Sequence, residues 1–325
     1  MSKYVYTSCW NNEIIEYINQ KKQSGFSVAV LKSNLKKFDE FCVKNNINDK
    51  IFTKEHCEKL IEDNQNVKHI TKYGYILLVR LFLERMLLKG YNVHIPKKIS
   101  RKFTKFLPKI YTQDEIKRYF FAVDTYEYGI SGRMAIIMPI LFRILYCCGT
   151  RITETLSIKK EDIDLSTGII KLRNTKNKRE RYIVLPEELR ILMLKYADKV
   201  FWQLGDHSYI FKGETNQHIS YMSVYKYHVE FLKLASIPYN GNGKGPRIHD
   251  FRHTSIVLTC KKLIDSGLTS SNIIPIIATW AGHAKPESTE YYLRLTSEVY
   301  PYIKDKMNDT LDNIFDNLEI PDEIY

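Results

Sequence analysis

The sequence predicts a mainly α protein with one small β-sheet: an N-terminal helical domain followed by a larger α+β domain. Three observations carry this. A chain of 325 residues exceeds the size at which a single core usually stops growing. Residues 10–90 show apolar positions at helical spacing and no strand pattern. Residues 168–185 read instead as two short strands, "GIIKL" and "RYIVL", around the polar tip "RNTKNKRE". The expected division is a helical domain over 1–95, a basic linker over 96–109, an α+β domain over 110–304 and a tail over 305–325.

The helical segments come first along the chain. "EIIEYINQKKQ", "VAVLKSNLKKFDEFCVKN", "KEHCEKLIEDN" and "TKYGYILLVRLFLERMLLKG" each carry an apolar stripe. Asn, Asp and Gly separate them, and Gly90 reads as a C-terminal stop. The segment 96–109, "PKKISRKFTKFLPK", holds Pro96 and Pro108 with Lys97, Lys98, Arg101, Lys102, Lys105 and Lys109 and no acid. It is either a solvated connector or a segment that follows a phosphate backbone, and the overall charge favours the second. Thr112 followed by Glu115 is a capping-box pattern opening the next helix. The apolar run "MAIIMPILFRILYCC" at 134–148 reads as a buried helix. It is too short to span a bilayer and contains Pro139 and Arg143. A turn at Gly149, a helix from about 151 and the hairpin follow, then helices to about 318.

Composition narrows the function. A 44% hydrophobic fraction supports packed cores. The net charge of +12 points to a polyanionic partner, most often nucleic acid. Six cysteines without a CxxC pair read as reduced thiols. The start, "MSKYVYTSCWNNE", lacks an apolar secretion region. A soluble cytoplasmic protein is the expectation.

Four stretches carry chemistry: "GTRITETL", "RNTKNKRER", "HDFRHT" and "TWAGHAKPESTEYYL". Between them they hold Arg151, Glu154, Lys176, His249, Arg252, His253, His283 and Tyr292. Attack on a phosphodiester needs fixed cations beside the non-bridging oxygens. The planar fork of arginine suits that task. It also needs an in-line nucleophile, a proton donor for the departing alkoxide and a base for the nucleophile. Arginines, histidines, one lysine and one tyrosine supply every part. Taken singly, the residues prove little. Arg151 fits a surface helix start, and Lys176 is not distinguished by spacing from Lys171, Arg173, Lys178, Arg179 and Arg181. His249, Arg252 and His253 lie at i, i+3 and i+4, so a helix presents them on one face. That face could equally be solvated. His249 and His253 also have the spacing of a zinc pair with His283 as a third ligand, but lack an interleaved acidic base. Tyr292 is one of 23 tyrosines.

The order of the four stretches resembles the tyrosine recombinases, the phage-integrase and Xer-type family. "GTRITE" matches that family's G-x-R-x-x-E stretch. "TKNKRER" lies along a hairpin pattern like GKGNKER and picks out Lys176. "HDFRH" matches an H-x-x-R-H box without a gap. A Gly-His pair follows, with the nucleophilic tyrosine nine residues after its histidine, which selects His283 and Tyr292. The likeness covers about residues 105–300, and the preceding helices are similar to the family's core-binding domain. Two positions depart from the pattern. Ala281 stands where a Leu-like residue usually precedes the Gly-His pair, and Tyr291 doubles the tyrosine.

The resemblance implies a site-specific recombinase that cleaves and rejoins DNA through a 3′-phosphotyrosyl link and a Holliday junction. It implies no cofactor, metal or ATP. Tyr292 is then the nucleophile, Arg151 and Arg252 clamp the phosphate, and Lys176 is the general acid. His249 accepts the tyrosine proton, His283 hydrogen-bonds the phosphate, and Glu154 orients the cations. Arg247 and His253 are left to hold the turn or touch the flanking backbone. The implied partners are a double-stranded recombination site and further copies of the chain in a synaptic tetramer. The tail, 305–325, would pack on a neighbouring protomer, and accessory DNA-bending or directionality proteins and no membrane complete the expectation. Two rivals remain at this level: a type IB topoisomerase-like enzyme, and a DNA-binding protein that has lost catalysis.

Overall fold

A computed structural model describes residues 4–101, 107–128, 132–173, 180–213, 217–241, 245–283, 285–301 and 303. The chain divides into two compact units, Met1–Lys105 and Phe106–Tyr325. The division falls inside the basic segment that the sequence marks as a linker.

The first unit contains α1 (Asn11–Gln23), α2 (Ala29–Lys44), α3 (Lys54–Glu62) and α4 (His69–Leu88). Each follows a periodic stretch of the sequence. Their apolar stripes bury Trp10, Leu35, Phe38, Phe52, Phe82 and Met86 in one core, where Trp10, Tyr17 and Phe38 meet Phe82 edge-on. Gly90 follows α4 at φ 88°. Of the basic segment, Lys97 and Lys98 are exposed and Arg101 is half-buried. Lys102 and Lys105 lie outside the described residues.

The second unit begins with α5 (Gln113–Thr125), whose capping box forms as the sequence predicts: Thr112 accepts from the Glu115 backbone N–H and Glu115 accepts from that of Thr112. Lys109 is spent on an ion pair with Glu115 at 2.7 Å. Helix α6 (Gly132–Cys147) buries Ile137, Met138, Ile140, Leu141, Phe142, Ile144 and Leu145, as its apolar run requires. After α7 (Ile152–Leu156) comes an antiparallel sheet of β1 (Ile163–Asp164), β2 (Ile169–Leu172) and β3 (Arg181–Val184), in that order. Ile170 pairs with Ile163 on one side and Ile183 on the other. Ile170, Leu172 and Ile183 face the core, so the strand alternation of the hairpin is kept. Two-residue β1 is too short to leave a periodic signal. Helices α8 (Glu187–Val200), α9 (Tyr221–Leu234), α10 (Asp250–Asp265), α11 (Ser270–Ala281) and α12 (Pro286–Val299) complete the unit.

Two cores hold this unit. One packs Tyr119, Phe142, Phe231 and Phe251 under the sheet, α5, α6 and α9. The other joins α10, α11 and α12 through Ile256, Val257, Ile273, Ile277 and Leu293. The stretch 247–254 is not one helical turn. Arg247 precedes α10 and is tied to Asp250, its backbone N–H donating to Oδ2 at 2.7 Å and Nη2 to Oδ1 at 3.1 Å. His249 is the N-cap residue. Among the described residues no helix is long and apolar enough to cross a membrane.

Candidate active site

Arg151 at the start of α7, Arg181 on β3 and Arg252 on α10 converge on Glu154, a carboxylate in the first turn of α7. Its side chain is 1% exposed. Oε1 accepts from Arg151 Nη1 at 2.8 Å, and Oε2 from the Arg151 backbone N–H and from Arg181 Nη1, both at 3.0 Å. Burial pushes the Glu154 pKa up, but Arg181, Arg151 and Arg252 outweigh it and hold the carboxyl below its ordinary value. Glu154 is therefore the ionised counter-charge of three guanidinium groups.

Arg252, 2% exposed, joins two chain turns. Nη1 donates to Gly149 O at 2.6 Å and Nη2 to Ala281 O at 2.7 Å. Both contacts need tight backbone. Gly149 has φ 56°, and a Cβ there would lie 2.6 Å from Trp280 Cη2. Gly282, the left-handed C-cap of α11 at φ 69°, would place a Cβ 3.0 Å from Arg181 Nη1. A carbonyl suffices at position 281, because it is the Ala281 backbone that the arginine uses. Burial lowers the Arg252 pKa to about 10, with Arg151 adding to the shift.

The tyrosine pair is separated by register. Tyr292, on α12, is 3% exposed. Its ring stacks on His283 at 5.5 Å and 11°. Its hydroxyl lies 2.7 Å from His253 Nδ1. Tyr291 turns to another side of α12, its ring at 76° to that of Tyr292. Burial raises the Tyr292 pKa to about 12, against the pull of Arg252 and Arg151. The histidines are neutral. Burial, then Arg252, takes His249 down to about 3 and His283 to about 2. His283 Nδ1 lies 2.9 Å from Thr289 Oγ1.

The structure thus brings together Arg151, Glu154, His249, Arg252, His283 and Tyr292. Lys176 lies outside the described residues. Two neighbours take places that the sequence does not assign them. Arg181 closes the hairpin pattern and is 10% exposed on its side chain. Its Nε and Nη2 are buried without a hydrogen-bond partner among the described residues. The last position of "TKNKRER" was the available signal. His253 is fully buried and touches Tyr292, whereas the sequence reading left it to hold the turn or the flanking backbone. The correction is tertiary in origin, since α12 brings its hydroxyl to α10 from 39 residues away. Among the described residues no group of three or more His, Cys, Asp or Glu side chains is arranged to hold a metal ion. Three guanidiniums facing one carboxylate leave the site cationic, suited to a phosphate anion.

Comparison with known proteins defines the class. The family model described as "Phage integrase family" matches residues 109–298. The chain belongs to the phage integrase family. It is 27% identical over 236 residues to tyrosine recombinase XerA of Saccharolobus solfataricus, covering 72% of this chain and 66% of that one. It is 24% identical over 213 residues to XerA of Pyrococcus furiosus, covering 65% of each. The chain spans 52% and 59% of the length of two further relatives. The fold is similar to that of XerH recombinase bound to its difH substrate, with TM-score 0.62 and 18% identity over 83% of this chain and 78% of that one. It is equally similar to lambda integrase bound to DNA, with TM-score 0.62 and 13% identity over 91% and 98%.

Proposed function

We propose that the protein is a site-specific DNA recombinase that cuts and rejoins strands through a tyrosine–phosphate link. The observation that carries this is the burial of the Tyr292 hydroxyl beside two arginines, Arg151 and Arg252, that share the counter-ion Glu154. Membership of the phage integrase family supports the same reading.

Tyr292 Oη attacks the scissile phosphorus, the P–O5′ bond breaks, and a 3′-phosphotyrosyl link forms. Arg151 and Arg252 stabilise charge on the non-bridging oxygens. Lys176 protonates the leaving 5′ oxygen. His249 and His283, neutral at the edge of the cationic site, donate hydrogen bonds to the phosphate. Attack by a partner strand's 5′-hydroxyl reverses the chemistry, so no external energy source is used. Lys97, Lys98, Arg101, Lys102 and Lys105 follow the DNA backbone, and the working form is a tetramer on two sites.

A nicked suicide substrate tests the reading, because the freed end diffuses away and traps the covalent complex. The wild-type protein accumulates a covalent DNA adduct. Tyr292→Phe binds DNA and forms none, and Tyr291→Phe forms it normally. An adduct that survives Tyr292→Phe sinks the proposal.

A further inference from the structure

We propose that His253, rather than His249, takes the proton from Tyr292 as its hydroxyl attacks. The inference rests on Tyr292 being the nucleophile and names the group that activates it. His253 Nδ1 lies 2.7 Å from Tyr292 Oη, inside the reach a general base needs. The two rings are tilted by 33° with centroids 5.6 Å apart. His249 packs edge-to-face on the His253 ring at 4.7 Å and 88°, and no hydrogen bond joins it to Tyr292 Oη among the described residues. His253 thus touches both the tyrosine hydroxyl and the ring of the histidine that family resemblance nominates.

The protonation states agree. For Nδ1 to accept from the phenol, the neutral ring must carry its proton on Nε2, a buried atom with no hydrogen-bond partner among the described residues. The groups facing the ring are His249, Arg247 and Arg252 around the start of α10, His283 after α11 and Tyr292 on α12. Burial first, then those cations and histidines, keeps the His253 pKa well below its ordinary value. The ring is therefore unprotonated and ready to accept at neutral pH. As the Tyr292 O–P bond forms, the proton passes from Oη to Nδ1. The negative charge gathering on the phosphate between Arg151 and Arg252 offsets the new imidazolium. In the joining step the same proton returns to the departing phenolate. Proton and bond counts balance without any co-reactant.

Single-turnover cleavage of the suicide substrate by the full chain tests this. His253→Asn places an amide near Nδ1, so a hydrogen bond to the tyrosine survives while the proton acceptor is lost. The expected result is unchanged DNA affinity and a cleavage rate lower by ~10²-fold or more near neutral pH. The rate of the variant rises in proportion to hydroxide between about pH 6 and about pH 9, while the wild type stays nearly flat. Placing 3,5-difluorotyrosine, a more acidic phenol, at position 292 restores the variant by about tenfold or more. His249→Asn slows cleavage with neither the new pH slope nor the rescue. The inference is overturned if His253→Asn cleaves within about threefold of wild type, or if the slope and rescue belong to His249→Asn. A second readout uses unaltered His253. In ¹⁵N spectra Tyr292→Phe shifts the His253 Nδ1 resonance and leaves His249 in place, and an unmoved His253 resonance also overturns it. An adduct persisting in Tyr292→Phe removes the nucleophile reading and this inference together, whereas an inactive Tyr292→Phe beside a normal His253→Asn removes this inference alone.

Discussion

Three histidines in the site are held neutral, and this has a consequence for stability. His249 and His283 have folded-state pKa values of about 3 and about 2, and burial is the leading cause for both. His253 moves the same way. A folded pKa below the unfolded value of about 6.5 means that the unfolded chain binds the proton more readily. The contribution is intact above the unfolded value and falls away as pH drops below it. At about pH 5 each such histidine costs up to about 2 kcal/mol. Glu154 is also held low, by Arg181, Arg151 and Arg252 against burial. Its contribution survives until pH falls below the ordinary carboxylate range. The first loss of stability on acidification is therefore the histidines' and not the carboxylate's. Urea midpoints at about pH 7.5 and about pH 5 measure it: a clear fall is expected, smaller by about one histidine's share in His253→Asn. Equal midpoints would contradict the burial of neutral rings.

Helices and strands show how far sequence patterns reach. The stripes of α1 to α4, the capping box of α5, the apolar run of α6 and the alternation of β2 and β3 were legible because each is a local signal. So were Arg151, Glu154, Arg252, His283 and Tyr292 as a set, because their order along the chain is distinctive. Tertiary pairing was not legible. The i, i+4 spacing of His249 and His253 places both near one face, but nothing local says which ring meets a hydroxyl carried by α12. Arg181 was hidden among other basic residues until its contact with Glu154 separated it from them. The turns between elements are just as specific. Gly149→Ala meets a left-handed φ of 56° and a Trp280 ring atom at 2.6 Å, and it displaces the carbonyl that Arg252 grips. The left-handed strain alone costs roughly 1–2 kcal/mol. Chemical denaturation should show a loss of at least that size, with covalent adduct formation falling too. A variant as stable and active as wild type would show that the Arg252 anchor is dispensable.

On the scale of the whole molecule, a protein of net charge +12 carries an acidic tail at 305–325, which lies outside the described residues. That tail holds Asp305, Asp309, Asp312, Asp316, Glu319, Asp322 and Glu323 with one lysine, Lys306. Leu311, Ile314, Phe315 and Leu318 fall at helical spacing. Its charge disfavours DNA and its apolar stripe asks for a protein surface, for which a neighbouring protomer is the proposed partner. Removal of 305–325 should leave single-site DNA binding intact and impair assembly and strand exchange, as read by native gels and recombination of a two-site plasmid. Full recombination by the truncated chain would remove the tail from the mechanism.

In the proposed reaction the Tyr292 oxygen becomes bonded to a DNA phosphate. Protease and nuclease digestion of the trapped complex, followed by mass spectrometry, reads that bond directly. One modified peptide is expected, with a nucleotide joined through its 3′-phosphate to Tyr292 and a free 5′-hydroxyl on the released strand. A nucleotide on Tyr291, a 5′-phosphate linkage, or cleaved DNA with no protein attached would contradict it.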